Sequence, residues 1–218
     1  MSRLEDKIKE YQEAFKGKVP QEVQELMIKA TEELKSDEIS SEALRTGEDV
    51  LPFCLPNAVG KNVILEDELA KYDFVVVNFY RGGWCPYCNL ELKALQDILG
   101  DLKALNTNLI AISPQTPDAS LSTKEKNELE FEVLSDWDNT IAKEFGLVFS
   151  LNKKLQPIYE SFGIDIPGSN DDDSYELPMP ATYILNKEGV IIYSFVDEDY
   201  TKRLEPQIII DVIKEHSK

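Results

Sequence analysis

One stretch constrains the fold of this chain more than any other. The apolar run Phe74-Val75-Val76-Val77-Asn78-Phe79-Tyr80 is followed, after a short gap, by Cys85-Pro86-Tyr87-Cys88. That motif opens the leucine-periodic segment Leu90, Ala94, Leu95, Ile98 and Leu99. The order dictates a buried strand, a tight turn and a helix whose first residues carry two cysteines. A helix N-terminus offers free N–H groups and about half a positive charge, so it favours a thiolate over a thiol. Pro86 suits the first helical position, where its missing N–H costs nothing. Cys85 is then expected at the cap and Cys88 in the first turn, close enough to form a reversible Cys85–Cys88 disulfide.

Two other uses of the cysteine pair fit less well. Structural zinc takes four ligands, and beyond the motif the chain offers only Cys54 and a single histidine, His216, near its end. A static disulfide suits an oxidising compartment, whereas three cysteines in 218 residues suit a reducing cytoplasm. The N-terminal Met1-Ser2-Arg3-Leu4-Glu5-Asp6-Lys7 lacks the apolar core of a secretion signal, and no run of 18 apolar residues marks a membrane span. A formal charge of −18 leaves no basic stripe for nucleic acid. With one terminal histidine, histidine-based hydrolase chemistry has almost no residue to use. Activation of a cysteine must come from the helix dipole, hydrogen bonds or a nearby cation.

Periodicity organises the rest. Ser2-x-x-Glu5 reads as a capping box before a helix bearing Leu4, Ile8, Tyr11 and Phe15. Gly17 closes it, and Pro20 starts a second helix with Val23, Leu26, Met27, Ala30 and Leu34. Ser36 to Glu48 reads as a polar linker, dividing residues 1–48, a helical extension, from residues 49–218. In the second part, Phe53–Asn57 and Val63–Leu65 suggest a hairpin around Gly60-Lys61. Strands follow at 74–80, 109–113 and 131–134, with helices over about 86–99, 120–128 and around Ile141, Ala142 and Phe145. A helical turn or two at Leu155–Phe162 precedes Asp171-Asp172-Asp173, read as a solvated loop. Ala181–Leu185 and Val190–Phe195 flank Asn186-Lys187-Glu188-Gly189 as a hairpin, and Leu204–His216 closes the chain as a helix. Alternating strands and helices of these lengths imply an α/β sheet rich in parallel pairs.

These landmarks resemble the AhpC/TSA group of peroxiredoxin-like proteins in the thioredoxin-fold superfamily. The matching segments are Leu51–Asn57 with Gly60-Lys61, Asn78–Leu92, Ala111–Pro114, Val133–Asp136, Ala142–Gly146 and Pro180–Asn186. They occur in the family's order over about residues 49–213. The resemblance implies a thioredoxin-like fold with a central mixed sheet flanked by helices, behind the N-terminal extension. It implies reduction of hydrogen peroxide or organic hydroperoxides through a dithiol–disulfide cycle, a thioredoxin-like dithiol reductant, and no cofactor or metal. A homodimer is left open.

The site resembles a blend of two patterns. The peroxiredoxin motif Pro-x-x-x-Thr-x-x-Cys places its cysteine on Cys88, three before Glu91, with Arg81 at the Pro position and Cys85 at the Thr position. The family's later arginine falls on Pro180. The thioredoxin pattern Trp-Cys-x-x-Cys matches Trp84 to Cys88, and its cis-proline before a Thr-containing strand matches Pro180 and Thr182. The buried acid of thioredoxins falls on Asn78. Arg81 is the candidate cation for the site, an exposed loop charge being the other reading. Gly82 and Gly83 are expected to serve close backbone approach, Trp84 to shield the site or pack beside it, and Cys54 to be a small buried residue. Cys88 is favoured for peroxide and Cys85 for disulfide exchange. The alternatives are a thiol–disulfide oxidoreductase acting on protein disulfides and a redox sensor or partner-binding module.

Overall fold

The computed structural model describes residues 3–217. A five-stranded mixed sheet forms its centre. In chain order the elements are α1 (Leu4–Lys16), α2 (Gln21–Ser36), β1 (Cys54–Pro56), β2 (Asn62–Ile64), α3 (Leu65–Lys71) and β3 (Phe74–Phe79). The chain continues with α4 (Pro86–Asp97), α5 (Leu99–Ala104), β4 (Thr107–Ser113), α6 (Pro117–Lys126), β5 (Glu132–Ser135), α7 (Thr140–Glu144) and β6 (Val148–Ser150). Then come α8 (Gln156–Ser161), α9 (Ile166–Asn170), β7 (Glu176–Pro178), β8 (Ala181–Asn186), β9 (Ile191–Val196) and α10 (Pro206–His216).

The sheet order is β5-β4-β3-β8-β9, with β5, β4 and β3 parallel and β8 and β9 antiparallel. Every residue of β3 is buried, because helices cover both faces. Val75, Val77 and Phe79 join one core, with Phe145 and Tyr183. Phe74, Val76 and Tyr80 join the other, with Leu92 and Leu95 of α4 and Ile209, Ile210 and Ile213 of α10. This alternation is the period of two that a strand imposes. The mixed α/β sheet, the β1–β2 hairpin and the β8–β9 hairpin with Gly189 at its turn agree with the sequence reading.

Some expectations change. The 36–48 segment is not a free linker. Its Ala43 is buried in the core, the Leu44 amide donates to the Phe145 carbonyl, and a short 3-10 turn spans Ile39–Glu42. Leu4 and Ile8 of α1 are buried in the core beneath α4, and Ala30 of α2 in the opposite one. The Ser2 half of the expected capping box lies outside the described residues, and Arg3, at the cap position, makes no side-chain cap. Met179–Pro180 is a trans peptide, contrary to the cis bond expected. Met179 donates its amide to the Leu147 carbonyl between β7 and β8, which holds the peptide that leads into β8. Cys54 is exposed, because β1 turns alternate residues inward and Leu55 takes the buried position. The Asp171–Asp173 run is a surface loop, and no His/Cys/Asp/Glu cluster fit for a metal occurs among the described residues.

Candidate active site

The dithiol stands where β3 hands over to α4. Cys85 is the N-cap of α4 and Pro86 its first residue, so Cys88 lies in the first turn. The approach is built by the two glycines. A Cβ on Gly82 would come within 2.4 Å of Trp84 Nε1, and one on Gly83 within 2.1 Å of Thr123 Oγ1. Both positions therefore need the absence of a side chain. The Gly83 amide donates to Gln115 Oε1 at 2.7 Å, and Asn89 Nδ2 donates to the Gly83 and Cys85 carbonyls at 2.8 and 3.0 Å. The loop is thus pinned from β4's far end and from the helix it introduces.

Both cysteines are buried. Two arginines serve them. Arg81, only 2% exposed, donates from Nη2 to the Tyr159 hydroxyl at 2.8 Å. Its guanidinium carbon lies 4.6 Å from the Tyr200 ring centroid, 5.0 Å from Trp84 and 5.6 Å from Tyr159. No carboxylate pairs with it among the described residues, so π-faces and one hydroxyl hold a buried cation whose charge remains available. Arg203 comes from the loop before α10. Its Nη2 lies 3.4 Å from Cys88 Sγ, and its Nε lies 2.6 Å from Glu91 Oε2 in a fully buried ion pair.

These surroundings separate the two thiols. Burial pushes Cys85 up, but the Cys88 thiol, Arg81, Arg203 and the Cys88 main-chain N–H together bring it down to about 6. Cys88 is pushed well above an ordinary thiol by burial and then by its bond to, and the charge on, Cys85; Arg203 only partly opposes this. Burial likewise raises Glu91 to about 7 against the pull of Arg203. At neutral pH the pair can therefore hold one thiolate at Cys85, accepting a hydrogen bond from a protonated Cys88.

The structure brings Cys85, Cys88, Arg81 and Trp84 together. Arg81 is no exposed loop charge. Thr182 lies one layer below: its Oγ1 accepts from Asn78 Nδ2 at 3.1 Å, across the β3–β8 pair. Asn78 in turn faces Glu91 and helps hold it ionised. The buried acid beneath the dithiol is thus supplied by helix α4 rather than by the strand. Pro180 makes no described hydrogen bond to either cysteine. Arg203 and Glu91 are the site residues whose pairing the sequence did not reveal.

Cys85 opens on a cavity of about 260 Å³. Arg81, Trp84 and Tyr159 line it together with Tyr11 and Phe15 of α1 and Met27 of α2. Tyr11 packs edge-on against Tyr87 at 5.2 Å, and Phe15 against Phe162 at 6.2 Å.

Comparison with known proteins identifies the family. The AhpC/TSA family profile matches residues 46–194. The Bcp protein of Haemophilus influenzae is 34% identical over 171 residues, covering 78% of this chain and 97% of its own. Peroxiredoxin Bcp of Escherichia coli K12 is 25% identical over 174 residues, covering 80% and 98%. Among solved structures, peroxidoxin BcpB of Mycobacterium tuberculosis superposes with a TM-score of 0.62 at 18% identity, covering 79% of this chain and 97% of that one. A Xylella fastidiosa PrxQ mutant gives 0.63 at 14% identity, with 80% and 98% covered. These two share the thioredoxin-like fold. A family match over most of the chain, together with a relative of this identity and coverage, makes this chain a member of the AhpC/TSA family of peroxiredoxins.

Proposed function

We propose that this thiol-dependent peroxidase attacks its peroxide with Cys85 and resolves the product with Cys88. The carrying observation is that Cys85 lines the cavity beside Arg81 whereas Cys88 does not; the surroundings also displace Cys85 downward and Cys88 upward, in the same sense. The Cys85 thiolate attacks the terminal peroxide oxygen, the O–O bond breaks, and the sulfur becomes a sulfenic acid. The departing oxygen leaves as an alkoxide or hydroxide and takes up a proton. Arg81 has N–H groups beyond the one given to Tyr159, and its positive charge offsets the negative charge gathering on that oxygen. The Cys88 sulfur then displaces the hydroxyl from Cys85, forming the Cys85–Cys88 disulfide and water. Arg203, at 3.4 Å, favours the Cys88 anion as its proton leaves. An external thioredoxin-like dithiol restores the pair by exchange, being oxidised to its own disulfide.

A second reading rests on the family motif, whose cysteine aligns with Cys88, and on Arg203 beside that sulfur. Under it Cys88 is oxidised first and Cys85 resolves. The Cys85 assignment is preferred because Cys85 lines the open cavity and Cys88 does not. Disulfide exchange on proteins as the main activity is not favoured, since the relatives are peroxiredoxins. We assign Trp84 to the cavity wall, Thr182 to the support beneath Glu91, and residues 1–48 to a helical extension on the 49–218 domain. The expected setting is a reducing cytoplasm, with no nucleic acid or membrane partner; no described helix is long and apolar enough to cross a membrane. Identifying which single-cysteine variant forms a sulfenic acid tests the assignment.

A further inference from the structure

The cavity at Cys85 is far larger than hydrogen peroxide requires. A site for one water-sized molecule needs only about 10–15 Å³, whereas an apolar cavity of about 150 Å³ accommodates benzene. The cavity here is about 260 Å³. Beyond Arg81 its surface is built from Phe15, Met27, Trp84, Phe162 and Ile164, with the ring faces of Tyr11 and Tyr200. Tyr11, Phe15 and Met27 belong to the two N-terminal helices, which precede the residues matched by the family profile. All three are half-buried, so they are held in place by packing yet keep apolar surface toward the void. A neighbouring groove of about 300 Å³ shares Phe15 and Met27 but is edged by Lys16, Glu32, Lys35 and Asp199, and Cys85 does not reach it.

We infer that the N-terminal helices form a binding subsite for the tail of an organic hydroperoxide, with Phe15 and Met27 setting a preference for phenyl-sized or branched alkyl tails over hydrogen peroxide. This rests on Cys85 being the peroxide-reactive sulfur. The –OOH end reaches Cys85 beside Arg81, and the tail fills the aromatic chamber, displacing water from apolar surface. Two-oxygen hydrogen peroxide gains nothing from that chamber. The extension thereby determines specificity while the family domain supplies the chemistry.

The test compares cumene hydroperoxide with hydrogen peroxide in steady state, using a thioredoxin-type dithiol as reductant and the full chain. The wild type should show a KM for cumene hydroperoxide at least tenfold below that for hydrogen peroxide. In Phe15→Ala and in Met27→Ala, the ratio of kcat/KM for cumene hydroperoxide to that for hydrogen peroxide should fall about tenfold, the scale on which a pocket discriminates apolar groups. An unchanged ratio in both variants would overturn the inference, including when both activities fall together through a structural effect. A second measurement separates this inference from the peroxidase assignment. Cumyl alcohol, the reduction product, should bind the wild type saturably and quench Trp84 fluorescence, with about tenfold weaker binding to Phe15→Ala. If the alcohol bound this way but no peroxide were turned over, the subsite would stand and the peroxidase assignment would fall. If the wild type did not bind the alcohol, the subsite would fall.

Discussion

Arg81 illustrates how a single residue shapes the electrostatics of the site. A buried arginine without a carboxylate is costly unless something else holds its charge. Here three aromatic rings and the Tyr159 hydroxyl do so, leaving the field of the cation for Cys85. With Cys85 at about 6, most of it is thiolate at pH 7, and reactivity is lost as pH falls through that value. Arg81→Met should move the midpoint of Cys85 alkylation by iodoacetamide up toward the ordinary thiol value of about 8.5, and slow the reaction at pH 7 at least tenfold. A pH–rate profile that did not move would assign the activation elsewhere. The sequence placed Cys85, Cys88 and Arg81 because spacing at a strand–helix junction is a local property. Arg203 escaped it because 115 positions separate it from Cys88, and only the docking of the final loop joins them. Cys54 was misread because a short apolar run does not say which face of a two-stranded hairpin points outward.

At the scale of elements, the long signals were legible and the short ones were not. The strand Phe74–Phe79 and helix Pro86–Asp97 declare themselves through an unbroken apolar run and a helical period. The three-residue strands β6 and β7 pair across a long intervening segment, and no local pattern marks them. Helix α5 follows a break at Ile98 that leucine periodicity hides. Two joints between elements carry predictions. Gly83→Ala would drive a Cβ into Thr123 Oγ1 and should lower Tm by several degrees, on the scale of about 1–3 kcal/mol for overpacking. Adding Thr123→Ala should recover part of that loss in a thermal melt. Glu91 of α4 clamps Arg203 ahead of α10, with both side chains almost wholly buried. Glu91→Ala would leave that arginine unpaired at a cost of about 3–5 kcal/mol. By calorimetry, Tm should drop on the order of 10 °C for a chain of this size.

For the whole molecule, the sheet, its two cores and the N-terminal helices behave as one packed body: Leu4 and Ile8 extend the core beneath α4, and Ala30 joins the core on the opposite face. The sequence divided residues 1–48 from the rest because the 36–48 stretch is polar, yet Ala43 and Leu44 tie that stretch to the domain. Polar composition alone does not reveal such an anchor. A net charge of −18 adds self-repulsion spread over the surface. Raising salt from about 10 to about 200 mM shortens the Debye length from about 30 Å to below 10 Å. Thermal melts should then show Tm rising by a few degrees, and a fall would mean that favourable surface ion pairs outweigh the repulsion.

The order of events at the dithiol is most directly tested by dimedone trapping and mass spectrometry on two variants treated with equimolar cumene hydroperoxide. Cys88→Ser should accumulate a dimedone adduct on Cys85 rapidly, and Cys85→Ser should label Cys88 at least tenfold more slowly, because Cys85 lines the cavity beside Arg81 and Cys88 does not. Faster labelling of Cys88 would contradict the assignment and make Cys85 the resolving thiol.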